Sequence, residues 1–186
     1  MKLAIDAGHG MGNRKAGVYD PGAVAAGETE AGIVMDWAET LKFYCLQAGI
    51  NVFMIRTGAT DANPVGGRDE QAERANCSHY LSLHCNAAGA VAATGTETLY
   101  RDRTDMLWAA KVQKAALGAL RLADRGLKPE SSGQHSRLAV FDFDGPCALC
   151  ELGFITNPMD RQVLLARSNR IEFAIAVVEA LKGGQK

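Results

Sequence analysis

Short apolar runs alternate along this chain with longer stretches in which apolar residues recur every three or four positions, and few folds accept that alternation. Lys2-Leu3-Ala4-Ile5-Asp6, Ile50-Asn51-Val52-Phe53-Met54-Ile55, His79-Tyr80-Leu81-Ser82-Leu83, Thr96-Glu97-Thr98-Leu99-Tyr100 and Cys147-Ala148-Leu149-Cys150-Glu151-Leu152 are too short for helices and read as strands. Between them, Ile33, Val34, Trp37, Leu41, Tyr44 and Cys45 form one helical stripe that Gly49 ends. Trp108, Val112, Ala115, Ala119 and Leu122 predict a second amphipathic helix over 105–123, with Asp105 as its N-cap. A polar helix is expected over 68–75, a short one over 159–166, and a last one carrying Ile171, Ala174, Ile175, Val178 and Leu181. Strands alternating with helices predict an α/β fold: one domain over residues 1–186, with a mixed, mostly parallel central sheet and helices on both faces.

The remaining segments are expected to be less regular. Residues 11–29 read as a long functional loop, Gly126 and Pro129 as a break, Ser131–His135 as a turn, and Leu138–Phe141 as a further strand. Thr96–Tyr100 alternates between apolar and polar, so it is placed near a sheet edge. Several functions are excluded by composition. A net charge of -1 and a pI near 6.4 lack the basic footprint of a nucleic-acid binder. No window approaches the roughly eighteen apolar residues of a membrane span, and Asp6 arrives too early for a signal-peptide core. Five cysteines, an odd number, are expected to be reduced. Cys147 and Cys150 lie three apart in a strand and so point to opposite faces, which argues against a redox pair.

Three strands end in chemistry. The first runs through Asp6 into Ala7-Gly8-His9-Gly10, the third into His84, and Glu151 sits near the end of the run from Cys147, where open α/β sheets place their ligands. Two imidazoles and one carboxylate make the protein ligand set of an open zinc site. Glu28 or Glu30 supplies the carboxylate at the start of the first helix, a position that the helix dipole alone would also favour for an acid.

Blocks of residues spread along most of the chain resemble the zinc-dependent N-acetylmuramoyl-L-alanine amidases of bacterial cell walls. They are Ala4-Ile5-Asp6-Ala7-Gly8-His9-Gly10, Asp20-Pro21-Gly22-Ala23, Arg56-Thr57, Arg68, Arg74-Ala75-Asn76, Ser82-Leu83-His84-Cys85-Asn86-Ala87, Asp124-Arg125-Gly126-Leu127-Lys128 and Glu151-Leu152-Gly153-Phe154-Ile155-Thr156-Asn157. Ala7 stands where proline is common, and Cys85 and Cys150 are further departures.

The resemblance implies one zinc ion bound by His9, Glu30 and His84, with Glu30 favoured over Glu28. It also implies that Glu151 serves as general acid and base while water cleaves the amide between N-acetylmuramic acid and L-alanine. Asp6 is a candidate partner of the metal ligands and equally a residue that ends the strand and caps a turn. Arg68, Asn86 and His135 are candidates for touching substrate, with the structural ion-pair reading favoured for Arg68, and His79 is assigned to the core. The partner implied is bacterial peptidoglycan, and the setting a phage-type endolysin held in the cytoplasm until release, with the catalytic domain of a longer secreted enzyme as the alternative. A zinc carboxypeptidase or aminopeptidase uses the same ligands, and a silent peptidoglycan-binding module is the other alternative. Glu151 argues against the latter, since binding alone needs no general base.

Overall fold

In the computed structural model, which describes residues 1–58, 60–132 and 137–183, the first apolar run is strand β1 (Lys2–Ala7). Two short antiparallel pairs follow, β2 (Gly10–Met11) with β3 (Tyr19–Asp20) and β4 (Val24–Ala25) with β5 (Glu28–Thr29). Helix α1 (Glu30–Gln47) and strand β6 (Asn51–Met54) come next, then α2 (Arg68–Arg74) and β7 (His79–Asn86). The chain continues through β8 (Thr96–Tyr100), α3 (Arg103–Leu120), β9 (Asp124–Pro129), β10 (Cys147–Phe154), α4 (Pro158–Leu165) and α5 (Arg167–Lys182). The main sheet has the order β6-β1-β7-β10-β8-β9. Strands β6, β1, β7 and β10 run parallel, β8 is antiparallel to β10, and β9 is parallel to β8. This is the mixed, mostly parallel α/β sheet expected from the sequence.

The two-residue period of a strand sorts the side chains between two cores. Leu3, Ile5 and Ala7 of β1, Leu81, Leu83 and Cys85 of β7, and Ala148, Cys150 and Leu152 of β10 pack with Trp37, Val112 and Phe173 of helices α1, α3 and α5. On the opposite face Ala4, Tyr80, Cys147 and Leu149 pack with Ala72 of α2 and with Val140, Phe141 and Phe143. Continuing the second parity towards the carboxyl ends of the same strands gives Asp6, Ser82, His84 and Glu151. The functional residues therefore lie on the face whose apolar cover stops short.

Several local expectations are corrected. Leu138–Phe141 is not a strand: Ala139–Asp142 forms a 3-10 turn, with Phe141 N–H donating to Leu138 O. Both edges of β10 are already paired, with β7 and β8, so this apolar segment covers the sheet's second face instead. The break expected at Gly126 and Pro129 is edge strand β9, which pairs on one side only and needs no apolar run. Its neighbour β8 is one strand in from that edge. The N-cap of α3 is Asp102, whose carboxylate accepts from Thr104 N at 2.8 Å and Asp105 N at 3.0 Å. Asp105 is instead buried, accepting from Cys147 N at 2.9 Å and so tying α3 to the start of β10. The helix stops at Arg121, in the left-handed conformation, before the expected 123. All five cysteines are free, and Cys147 and Cys150 lie in different cores.

These two aspartates are expected to behave differently in urea denaturation. Asp102→Ala removes a surface cap and is expected to cost about 1 kcal/mol. Asp105→Ala also strands a buried strand N–H and should cost more, about 1–3 kcal/mol; equal losses would contradict the assignment.

Candidate metal centre and active site

Register places the first two groups. In the β7–β10 pairing Glu151 is the direct partner of His84, and in the β1–β7 pairing Asp6 is the partner of Ser82. His9 lies two residues beyond β1 with φ 64°, a left-handed conformation that is uncommon outside glycine. Arg68 Nη2 holds its carbonyl at 2.7 Å. Its neighbour Gly8 has no room for a side chain, because a Cβ there would lie 2.3 Å from the His84 ring. Arg56, buried, fixes the same turn by donating to Ala7 O, Gly8 O and Ala31 O.

Glu30 comes from the opposite direction, at the first position of α1, after the Thr29 cap that accepts from Gly32 N at 3.2 Å. The helix dipole favours a carboxylate there, and two backbone N–H groups hold it, Ala23 on Oε2 and Cys85 on Oε1, each at 3.0 Å. His9 Nε2 approaches Oε2 at 3.0 Å and His84 Nδ1 approaches Oε1 at 2.9 Å. One ligand atom from each of His9, Glu30 and His84 lies within 4.8 Å of the others, the one such cluster among the described residues. A Cβ on Gly22, whose φ is 66°, would fall 2.6 Å from Glu30 Oε2 and 2.7 Å from the His9 ring. Glu28 instead sits in β5 opposite Ala25 and is not part of the cluster.

Burial alone would raise the Glu30 pKa, but hydrogen bonds and charge from His84 and His9 outweigh it and hold the carboxyl well below the usual range. His84 is the counterpart: burial lowers its pKa, yet the Glu30 carboxylate, with Glu151 and Asp6 further off, raises it to about 9. Borderline-soft nitrogen donors converging with a carboxylate that stays ionised fit a divalent zinc ion, whose ligands must be deprotonated when it binds.

Glu151 is the exception to the general pairing of charges here. Burial, with Glu30 and Glu97 adding to it against the opposing His84, raises its pKa to about 7. Its Oε2 is buried and finds no hydrogen-bond partner among the described residues. It faces a cleft of about 810 Å³ that also exposes His9, Glu30, His84 and Glu97. A carboxyl with a pKa near neutrality, beside a cluster able to hold a metal ion, can both take up and release a proton.

The other residues proposed from the sequence are placed as follows. Arg68 lines the cleft but has a side chain only 2% exposed: Nη1 pairs with Asp6 at 2.7 Å, and Nη2 is shared between His9 O and Asn63 O. Of the two readings of Asp6, support of the candidate metal ligands is not seen, because its oxygens are occupied by Arg68 and by Ser82 Oγ at 2.8 Å. Asn86 also lines the cleft, with Nδ2 donating to Glu97 at 2.9 Å and Oδ1 accepting from Ala87 N. His79, assigned to the core from the sequence, is only half-buried and belongs to neither core, packing edge-on against Trp108. His135 lies outside the described residues. Two carboxylates were missed. Glu97 stands directly across the β8–β10 pairing from Glu151, and only strand pairing, not spacing, brings them together. Asp20, read only as part of a loop motif, lies 3.1 Å from His9 Nδ1.

The fold that carries this site is that of peptidoglycan amidase catalytic domains. The catalytic domain of CwlV, an N-acetylmuramoyl-L-alanine amidase from Bacillus (Paenibacillus) polymyxa var. colistinus, superposes with a TM-score of 0.83 at 25% identity, covering 100% of this chain and 99% of that one. For the amidase AmiC2 of Nostoc punctiforme the TM-score is 0.85 at 24% identity, with 100% and 98% covered. The catalytic domain of the CD27L endolysin, which targets Clostridia difficile, gives 0.74 at 19% identity, with 98% and 97% covered. The N-acetylmuramoyl-L-alanine amidase family matches residues 3–183, and the chain belongs to that family. The uncharacterized protein YqiI of Bacillus subtilis (strain 168) is 29% identical over 193 residues, 95% of this chain and 81% of that protein.

The Asp6–Arg68 pair yields a stability test. Burial would raise the Asp6 pKa, but Arg68, with His84 and Ser82 adding to it, lowers it below the ordinary value of 3.8. A depressed folded pKa means the stabilisation is full above the unfolded value and is lost as pH falls below it towards the folded one. Arg68→Met is expected to cost about 3–5 kcal/mol at neutral pH by leaving a buried carboxylate unpaired. Thermal melts of that variant should then improve relative to the parent as pH is lowered towards 4, where the stranded carboxylate can protonate; a constant difference across pH would contradict the pairing.

Proposed function

We propose that residues 1–186 act as one catalytic domain that hydrolyses the amide between N-acetylmuramic acid and the L-alanine of bacterial peptidoglycan, using zinc held by His9, Glu30 and His84. The observation that carries this reading is the pairing of that cluster with Glu151, on the neighbouring strand of the same cleft, whose Oε2 is buried and has no hydrogen-bond partner among the described residues. Bound zinc supplies Lewis acidity and lowers the pKa of water from 15.7 to about 7. The chain's own groups handle geometry and protons. The backbone N–H groups of Ala23 and Cys85 keep the Glu30 carboxylate turned towards the two imidazoles. Glu151 accepts the proton of the attacking water and returns it to the departing L-alanine nitrogen, a role worth roughly 10²–10⁴-fold in rate.

Glu151→Gln is expected to keep zinc at one ion per chain while losing roughly 10²–10⁴-fold in rate on purified peptidoglycan. Mass spectrometry of the soluble products separates the alternatives. Stem peptides beginning with L-alanine, released from intact glycan, support the amidase. Peptides cut at another bond would replace the substrate, and binding without release would leave only a wall-binding module.

The biological setting proposed with this activity is that of an endolysin, held in the cytoplasm until the membrane is breached; the fold shared with the CD27L catalytic domain is consistent with it. Expression in a bacterial host is expected to be harmless until a membrane-permeabilising protein is induced, and then to lyse the cells with Glu151 intact but not with Glu151→Gln. Lysis without permeabilisation would overturn that setting while leaving the chemistry in place.

A further inference from the structure

Asp20 terminates β3 and begins the turn Asp20-Pro21-Gly22, and one of its oxygens does what such a turn requires: Oδ1 accepts from Gly22 N at 3.0 Å. A turn residue would leave its second oxygen to solvent. Instead, three side chains converge on Oδ2. Asn13 Nδ2 donates to it at 2.7 Å, His9 Nδ1 lies at 3.1 Å, and Arg14 Nε at 3.3 Å. Arg14 is 72% exposed and adds little by itself, but Asn13 is only 7% exposed and is anchored through its backbone, its carbonyl accepting from Val65 N at 3.0 Å. The Asn13 carboxamide therefore fixes Asp20, and Asp20 meets the face of His9 turned away from Glu30. The two ring nitrogens of His9 face two different carboxylates, Nδ1 towards Asp20 and Nε2 towards Glu30.

We infer that Asp20 is the positioning residue of the metal centre: it accepts the Nδ1 proton of His9, so that Nε2 is the nitrogen offered to the ion, and the β2–β3 hairpin is the brace that holds it there. The inference rests on the metal reading above and places a carboxylate of this hairpin, not Asp6, behind the imidazole. Such a carboxylate behind a metal-binding imidazole fixes its tautomer and ring orientation and raises its basicity. The brace has a further task here, since His9 is held in a left-handed conformation that a free chain would leave.

Zinc affinity, measured by competition with a chromophoric chelator, is the first test. Asp20→Ala is expected to weaken binding roughly 10–100-fold. Asp20→Asn, whose amide oxygen can still accept from Nδ1–H, should weaken it less, and Asn13→Ala should give a smaller loss in the same direction as Asp20→Ala. A protein that binds no zinc at all would defeat both the metal reading and this role, whereas tight zinc binding unchanged in Asp20→Ala would defeat this role alone.

The second test needs no variant, and so survives any failure of Asp20→Ala to fold. In cadmium-loaded parent protein with isotope-labelled histidine, nuclear magnetic resonance is expected to show metal coupling to His9 Nε2 and a slowly exchanging proton on Nδ1. Coupling to Nδ1 would overturn the inference.

Discussion

Glu151 and His84 are direct partners in the β7–β10 pairing, and nearly everything else in the site depends on that register. A one-residue slip would send Glu151 into the apolar core beneath α1, α3 and α5 and bring an apolar neighbour to the cleft, because alternate residues of a strand face opposite ways. The slip is opposed along the whole strand. Ala148, Cys150 and Leu152 fit only the first core and Cys147 and Leu149 only the second, so burial on both faces specifies the pairing. The end of the strand is fixed as well. Asp160 of α4 accepts from Phe154 N at 2.9 Å, Gly95 N at 3.1 Å and Thr94 Oγ1 at 2.6 Å, pinning the last residue of β10 to the segment entering β8.

Charge compensation divides the buried carboxylates into scaffold and chemistry. Asp6 is matched by Arg68 and Ser82, Asp160 by three donors, and Glu30 by two backbone N–H groups and two imidazoles. Burying an ionised carboxylate without such partners costs several kcal/mol, so the group shifts its pKa instead. Asp105 and Glu151 are both raised in this way, but Asp105 still accepts from Cys147 N, whereas Glu151 Oε2 has no hydrogen-bond partner among the described residues and faces the cleft. Arg68 thus contributes to function indirectly: it neutralises Asp6 beneath the cleft and holds the His9 carbonyl, while remaining too buried to greet a substrate.

Much of this was legible in the sequence, for identifiable reasons. The α/β class and the strands carrying His84 and Glu151 followed from apolar runs with one dominant local conformation. His9, Glu30 and His84 followed from their positions beside predicted element ends and from the resemblance. What could not be read depends on pairings between distant residues. Asp20 and His9 meet because β2 and β3 fold back on each other, two residues each, too short to leave an alternating pattern. Strand β9 is an exposed edge whose composition resembles a loop, and Leu138–Phe141 is apolar because it caps a sheet face, not because it joins one. Asp105 precedes a helical stripe and so looks like a cap, but the real cap lies one turn earlier and frees Asp105 for the core.

The reversal of direction at β8 has a consequence for Glu151. A parallel strand in that slot would require another crossover, whereas the antiparallel one enters directly after β7 and sets Glu97 opposite Glu151. Two carboxylates facing each other across a pair would repel, and the structure absorbs this unevenly. Asn86 and Arg125 both bind Glu97, and Arg125 is steadied by stacking over Phe154, 5.0 Å from its ring centre. Glu97 thereby has two partners of its own, and its charge adds to the burial that raises the Glu151 pKa. The edge strand β9, by supplying Arg125, ties the neighbour that sequence alone did not single out to the rim of the sheet, directly across from Glu151.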